Sequence, residues 1–349
     1  VKIFITEYFT SGQCPGITAE NSLFREGWGM LAAFLEDAAK RTPPGAPAIQ
    51  CLTLLGAEPL TPLPPDVEVY YAAQPEQAHE QFLALASSCD WTLVIAPETE
   101  GILLQQYDRV LAVGSRWLGC DRNAIEICSD KLAMAQLWDS LNLPTPSTQL
   151  LTEMPNLDSA HSIEFPIVLK PRDGAGGDQT WKIEHATEFQ RFLQYATPEE
   201  RQLYLVQPFV SGQPCSLGVL SLEDEDHLFP IGQQNIRWEN GFHYGGGEMP
   251  VQLPTEVSSL LKDYVGQIRQ ALPGLAGYWG LDFIWDTENR DSPLSLIEIN
   301  PRLTTSYLGY RQLTALNLAQ YWIQDCHGIE SETKQIDWQS ELVSFSTER

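Results

Sequence analysis

The chain has 349 residues, 43% of them apolar, with 24 prolines and 25 glycines; this is too long for one ordinary core and suits two or three packed lobes. A formal charge of −25 excludes sequence-independent binding to nucleic acid or anionic membrane, because both demand a basic surface. No run approaches the ~18 apolar residues of a membrane helix, and seven singly scattered cysteines form neither a zinc spacing nor a disulfide framework, so a cytoplasmic protein is expected.

From residue 1 to about 125, runs rich in β-branched and aromatic residues alternate with helical patterns. The strand candidates are 1–9, 48–55, 67–73 and 91–97. The first carries Glu7 in its middle and no small-residue cleavage site, so it reads as an opening strand and not as a signal peptide. Within 21–41, Leu23, Phe24, Met30, Leu31, Phe34, Leu35 and Ala38 recur at helical spacing. That order predicts a small α/β lobe with a largely parallel sheet over 1–125, with proline-rich connections at 43–47 and 59–65.

A second lobe opens at Ser129-Asp130-Lys131, where a Ser or Asp precedes a periodic helix at 132–141 bounded by Pro144 and Pro146. Strands are predicted at 165–170, 180–183, 202–209, 215–222, 227–238, 277–286 and 295–299, and helices at 187–195, 255–272 and about 305–323. Strand runs with helices between them, without strict alternation, predict an α+β portion with antiparallel sheets. The acidic patch 223–226 is predicted to be a hairpin turn, and 241–248, rich in glycine and aromatic residues, a flexible loop that could close over a substrate.

Chemistry concentrates in two places. The cluster Lys170-Pro171-Arg172-Asp173-Gly174-Ala175-Gly176-Gly177-Asp178 matches neither a dinucleotide-binding nor a P-loop pattern, and it lies between two strands instead of opening a helix. At such a hairpin tip Gly174, Gly176 and Gly177 would let backbone N–H groups approach phosphate, with Lys170 adding a charge-assisted contact; an ordinary turn is the alternative. The second constellation is Gly280-Leu281-Asp282-Phe283 followed by Glu298-Ile299-Asn300-Pro301-Arg302. In a strand, Glu298 and Asn300 share one face while Ile297 and Ile299 face the core. With Asp282 alongside, three hard oxygen ligands suit Mg²⁺, and Arg302 could hold a carboxylate or phosphate; an ordinary solvated strand face is the alternative. None of the six histidines sits in a nucleophile motif.

Taken in order, Lys131 on an early helix, Lys170 before a glycine hairpin, the hinge Leu205-Val206-Gln207-Pro208-Phe209-Val210-Ser211-Gly212, Asp282 in G-L-D-F and the E-I-N-P-R signature at 298–302 resemble the ATP-grasp superfamily over roughly 125–325. The resemblance implies an ATP-grasp fold: the N-terminal α/β lobe (1–125), a small subdomain (126–210) and a large subdomain (211–330) clasping ATP, then a tail (331–349). It further implies ATP between two antiparallel sheets, Lys131 and Lys170 at its phosphates, Gln207, Pro208 and Val210 around adenine, and Mg²⁺ on Asp282, Glu298 and Asn300. Many members place an acid for the ribose hydroxyls two residues after the hinge glycine, where this sequence has Pro214.

The motifs Lys2-Ile3-Phe4-Ile5-Thr6-Glu7-Tyr8, Ser22-Leu23-Phe24-Arg25-Glu26-Gly27, Ala96-Pro97-Glu98-Thr99, Ser129-Asp130-Lys131 and Asn300-Pro301-Arg302-Leu303-Thr304-Thr305-Ser306-Tyr307 are similar to the branch containing tyramine-glutamate ligase of methanofuran biosynthesis. The activity implied is ADP-forming ligation of a small carboxylate to an amine through an acyl phosphate, with Arg302 and Arg237 steadying that step. A ligase for another amino acid or peptide, and an ATP-binding regulatory module without turnover, share the same motifs.

Overall fold

Strand β1 (Lys2–Glu7) is buried from Ile3 to Glu7, as befits a parallel strand covered by helices on both faces. The computed structural model describes residues 1–42, 47–154, 163–174, 177, 179–223, 225–239, 241–329 and 335–346. Helix α1 (Ser22–Ala38) is capped by Asn21, whose side chain accepts the Leu23 N–H at 2.8 Å, and it buries Phe24, Trp28, Leu31, Phe34 and Leu35 along one stripe. Next come β2 (Gln50–Leu55), β3 (Val67–Tyr71), α2 (Pro75–Ser87), β4 (Trp91–Ile95), α3 (Ile102–Ala112) and β5 (Arg116–Trp117). The sheet runs β3-β2-β1-β4-β5, and every pair in it is parallel, as the alternating pattern predicts. Helix α2 is weakly marked in the sequence because its buried residues are two alanines, one Phe and one Leu.

Helices α4 (Arg122–Ser129) and α5 (Lys131–Ser140) follow almost without a break, capped by Asp121 and Asp130. A four-stranded antiparallel sheet comes next, built from β6 (Gln149–Leu150), β7 (Ile167–Pro171), β8 (Trp181–Ile183) and β9 (Tyr204–Pro208), with α6 (Ala186–Tyr195) and α7 (Pro198–Arg201) between the last two strands. Strands β7 and β8 pair antiparallel, so the described residues of the glycine cluster, 170–174 and 177, stand at the end of a β-hairpin.

The largest sheet comprises β10 (Gln213–Ser221), β11 (Asp226–Leu228), β12 (Gly232–Trp238), β13 (Phe242–Met249), β14 (Gly277–Trp285), β15 (Leu294–Asn300) and β16 (Val343–Phe345). Its order is β15-β14-β10-β12-β13-β16, with β11 on β10, all antiparallel. Helix α8 (Thr255–Ala271) precedes β14, and α9 (Tyr307–Tyr310) and α10 (Leu318–Asp325) follow β15. The molecule is thus parallel α/β joined to antiparallel α+β. No helix among the described residues is long and apolar enough to cross a membrane.

Three local expectations need correction. The run 227–238 is two strands, since the chain leaves β11 after Leu228 and re-enters the sheet at Gly232. The helix over 305–323 is broken: the Thr314 hydroxyl accepts the Leu316 N–H at 3.1 Å and Asn317 caps α10 at 3.1 Å, giving the backbone partners outside a helix. The segment 241–248 is not a loop but β13. Its glycines serve close approach, because a Cβ on Gly247 would lie 2.4 Å from the Gln233 carbonyl oxygen on β12.

The cores divide unequally. Phe4 and Phe82 of the parallel lobe join, through Met134 and Trp138 of α5, with Leu217, Leu281 and Leu296 of the large sheet in one continuous core. A second shared core packs α1 against Tyr307, Tyr310 and Trp322. Arg311 ties the same faces together, both of its hydrogen bonds to Asp37 being 2.8 Å. The four-stranded sheet has its own small core of Leu151, Ile167, Leu169, Ile183, Phe189, Tyr204 and Val206.

Candidate active site

The site begins at the start of α5. The Asp130 carboxylate accepts the N–H groups of Leu132 (3.0 Å) and Ala133 (3.2 Å), and also the Arg172 Nε at 2.8 Å. Burial pushes this carboxyl up, but Arg172 and the helix donors outweigh it and hold it below the usual range. One acid therefore fixes both the helix start and the end of β7. Lys131, the next residue, donates its backbone N–H to the Arg172 carbonyl at 3.1 Å and its ammonium to the Gly174 carbonyl, and the ammonium lies 3.5 Å from Glu298 Oε2. Lys170, near the end of β7, is 6% exposed. Burial, with Lys131 adding to it and Glu298 opposing, brings its ammonium down to about 8.

Glu298 comes from β15, where Asp282 of β14 lies directly opposite. The Asn300 amide donates to Asp282 Oδ2 and the Gln234 amide to Oδ1, each at 3.0 Å. Burial, then the Glu298 charge, raises the Asp282 carboxyl. Burial also works to raise Glu298, yet Lys131 and Lys170 prevail and lower it. The register between β14 and β15 slips here, Asp282 facing Glu298 while Phe283 faces Leu296. Ile297 is the extra residue of a β-bulge, which puts it on the same side as Glu298; the expectation that Ile297 faces the core is corrected, and it lines the cavity.

That cavity has a volume of about 390 Å³ and lies between the two antiparallel sheets. Of the residues singled out from sequence, Lys131, Lys170, Gly174, Gly177, Gln207, Pro208, Val210, Asp282 and Glu298 line it, as does Pro214. Asn300 reaches the group through Asp282. Gly176 lies outside the described residues. The Gln207 side chain is turned to the Thr148 hydroxyl, donating at 2.6 Å. Gln234 went unnoticed in the sequence and Ile297 was assigned to the wrong face: nothing in a lone strand reveals which residue will sit in a bulge or beneath a carboxylate two strands away.

Arg237 and Arg302 do not line this cavity. Arg237 belongs to a larger adjoining cleft of about 1450 Å³, which shares Pro171, Gly174 and Phe242 with the first. The Arg302 Nε lies 3.0 Å from Glu98 Oε1 in an ion pair that is largely buried on both sides. Glu98 and Glu26, from two of the softer sequence motifs, both line the larger cleft, so those motifs converge around one arginine.

Comparison with known proteins agrees with this geometry. A family model described as an ATP-grasp domain matches residues 128–306, and one described as a pre ATP-grasp 3 domain matches 49–125. The chain belongs to the ATP-grasp family. Among ATP-grasp relatives, the alpha-aminoadipate–LysW ligase LysX of Sulfolobus acidocaldarius is 26% identical over 174 residues, 48% of this chain and 60% of that protein. The tyramine–L-glutamate ligase of Methanocaldococcus fervens is 27% identical over 242 residues, 69% of this chain and 67% of that protein. The match thus spans less than two thirds of the first relative's length. A solved ATP-grasp superfamily protein from Archaeoglobus fulgidus shares the fold, with a TM-score of 0.66 at 19% identity, covering 96% of this chain and 90% of that one.

ATP-grasp enzymes in general use ATP with Mg²⁺, and the donor set fits that ion. Two carboxylates directly opposite on paired strands repel each other, and a divalent cation bound by hard oxygens relieves that repulsion. Among the described residues no cluster of three or more His, Cys, Asp or Glu side chains is arranged for a metal. Two carboxylates and an amide oxygen leave the remaining positions to water and phosphate, as Mg²⁺ prefers.

Proposed function

We propose that this chain is an ADP-forming carbon–nitrogen ligase that activates a carboxylate as an acyl phosphate and passes the acyl group to an amine. The observation that carries this reading is the meeting of Lys131 and Lys170 with Glu298 and Asp282 across one cavity. Lys170 and Lys131 would hold the nucleotide phosphates, and Gly174 and Gly177 would bring backbone groups close to them. Gly177 takes a φ of +74° and packs on the Phe242 ring, a conformation and contact that exclude a Cβ. The backbone of 207–210 would meet the base beside Ile297. Asp282, Glu298 and Asn300 would hold Mg²⁺, which when bound offsets charge on the phosphate oxygens. Phosphoryl transfer asks the protein for position and charge compensation more than for a nucleophile, and this site is made of cations, carboxylates and amides. Arg302, held by Glu98 and within the electrostatic reach of Glu298, would steady the anion formed at the activated carboxylate.

The reading divides the chain into a pre-ATP-grasp lobe (1–125), a small subdomain (126–210), a large subdomain (211–330) and a tail (331–349). The relatives named as ligases of amino acids or amino-acid-derived amines support an amino acid as acyl donor, with L-glutamate as the first candidate and tyramine or tyrosine as the amine. The test is ADP release across a panel of carboxylates with tyramine and tyrosine, beginning with L-glutamate. The expected result is release that requires both acid and amine, with a product whose mass is their sum less one water. Release independent of any carboxylate would sink the ligase reading.

A further inference from the structure

Glu26 and Glu98 line the larger cleft, and Arg302 stands behind them without lining it. Arg302 is there the centre of an acidic shell: Glu98 pairs with it at 3.0 Å, and Glu26, Glu298 and Asp282 all feel its charge. Glu298 is matched by Lys131 and Asp282 by two amides. Two acceptors remain. Glu98 is 5% exposed and its Oε1, although close to Arg302, has no donor aligned for a hydrogen bond. Glu26, on α1, lines the cleft and takes part in no hydrogen bond or ion pair among the described residues. Burial raises its carboxyl and Arg302 only partly offsets this. One guanidinium thus faces two carboxylates with unspent acceptor capacity, and such groups cost stability unless a cation or donor meets them.

The chemistry that completes this arrangement is an alkylammonium. It carries one positive charge and three N–H donors, whereas a second anion would be repelled by Glu26 and Glu98. Aromatic side chains flank the same cleft: Tyr8 and Phe9, edge to face with centroids 5.4 Å apart, and Tyr244. The Tyr244 hydroxyl accepts from Thr305 at 3.0 Å, which leaves its own O–H to donate. An amine bearing an aromatic ring has both its features answered here. Because the cleft meets the smaller cavity at Pro171, Gly174 and Phe242, such an amine would stand beside the activated carboxylate.

We propose that Glu26, with the open oxygen of Glu98, receives the ammonium of the amine substrate, and that this amine carries an aromatic body lying against Tyr8, Phe9 and Tyr244. The assignment rests on the ligase reading above and names the acceptor side of that site. The test uses the full chain with ATP, a panel of carboxylates, and either hydroxylamine or a primary amine: tyramine, phenethylamine, L-tyrosine or butylamine. Hydroxylamine is largely uncharged at neutral pH and traps an activated carboxylate as its hydroxamate, so the hydroxamate made by the unaltered chain reports on the ligase reading alone. The expected result is that the KM for the preferred aromatic amine rises roughly 10- to 100-fold in Glu26→Gln and partly recovers in Glu26→Asp, while the KM for ATP holds. In the unaltered chain, phenethylamine should compete with tyramine and 4-ethylphenol, which lacks the ammonium, should not; this competition needs no variant to fold. Hydroxamate formation accompanied by an unchanged amine KM in Glu26→Gln, by equal competition from 4-ethylphenol, by a preference for butylamine, or by no ligation of any primary amine overturns the assignment and leaves the ligase reading standing. No hydroxamate with any carboxylate overturns both.

Discussion

The four-stranded sheet buries seven apolar side chains among the described residues as a core of its own, whereas the seven-stranded sheet shares its interior with the parallel lobe through Met134 and Trp138. The two walls of the cavity are therefore anchored differently. Asp282, Glu298 and Asn300 stand on the anchored wall, and Lys131 rides on α5, which belongs to the same shared core. Lys170 and the glycine hairpin stand on the wall with the small core. The difference teaches that the acids proposed to hold a metal and one lysine form a fixed base, and that the second lysine is delivered by a unit with a core of its own, which would be able to loosen separately.

The sharpest way to break that contrast is to empty the small core. Phe189→Ala removes a fully buried ring and should cost about 3–5 kcal/mol. Hydrogen exchange should then accelerate in β7–β9 while β1–β5 keep their protection; uniform acceleration would mean that the two walls unfold as one. On the anchored wall, Glu298→Gln should lower the rate of ADP release by about 100- to 1000-fold, while the strand pairing of β14 and β15, which does not depend on the charge, is kept. A variant that keeps its turnover would remove Glu298 from the chemistry. The smallest effect concerns the anchor itself. Burial pushes the Asp37 carboxyl up, but Arg311, Lys40 and Tyr307 overcome it and hold it below the ordinary aspartate value. A carboxyl lowered in the folded state binds fewer protons there than in the unfolded chain, so its stabilisation is present above about pH 4 and is lost as the pH falls through the folded value. Asp37→Asn should cost about 1–3 kcal/mol at neutral pH, and urea titrations of the two proteins should converge below pH 4; a constant difference would assign the loss to packing.

Much of this was legible in the residues, and the reasons are local. Alternating buried strands and helices mark the parallel lobe, the cap at Asp130 marks the helix that carries Lys131, and strand patterns on both sides mark the glycine cluster as a hairpin. The glycine-rich run of β13 misled because glycine also serves where backbones crowd, and a sequence does not say which use applies. Glu98 could be tied to Arg302 only through the fold, since the partners lie 204 residues apart. Glu26 had no local signal beyond its motif: an acid in the first turns of an amphipathic helix looks like any surface acid until the opposing lobe is in place.

The bulge in β15 has a geometric consequence for whatever the smaller cavity accepts. A regular strand presents same-side neighbours two residues apart, but here an oily side chain and an acid are consecutive, Ile297 and Glu298. One short stretch of backbone thus sets a fixed distance between an apolar surface and a negative charge inside the cavity. Deleting Ile297 would leave β14 and β15 in regular register, with Phe283 still opposite Leu296, and would remove the apolar neighbour of Glu298 from the cavity, even though no charge had been touched.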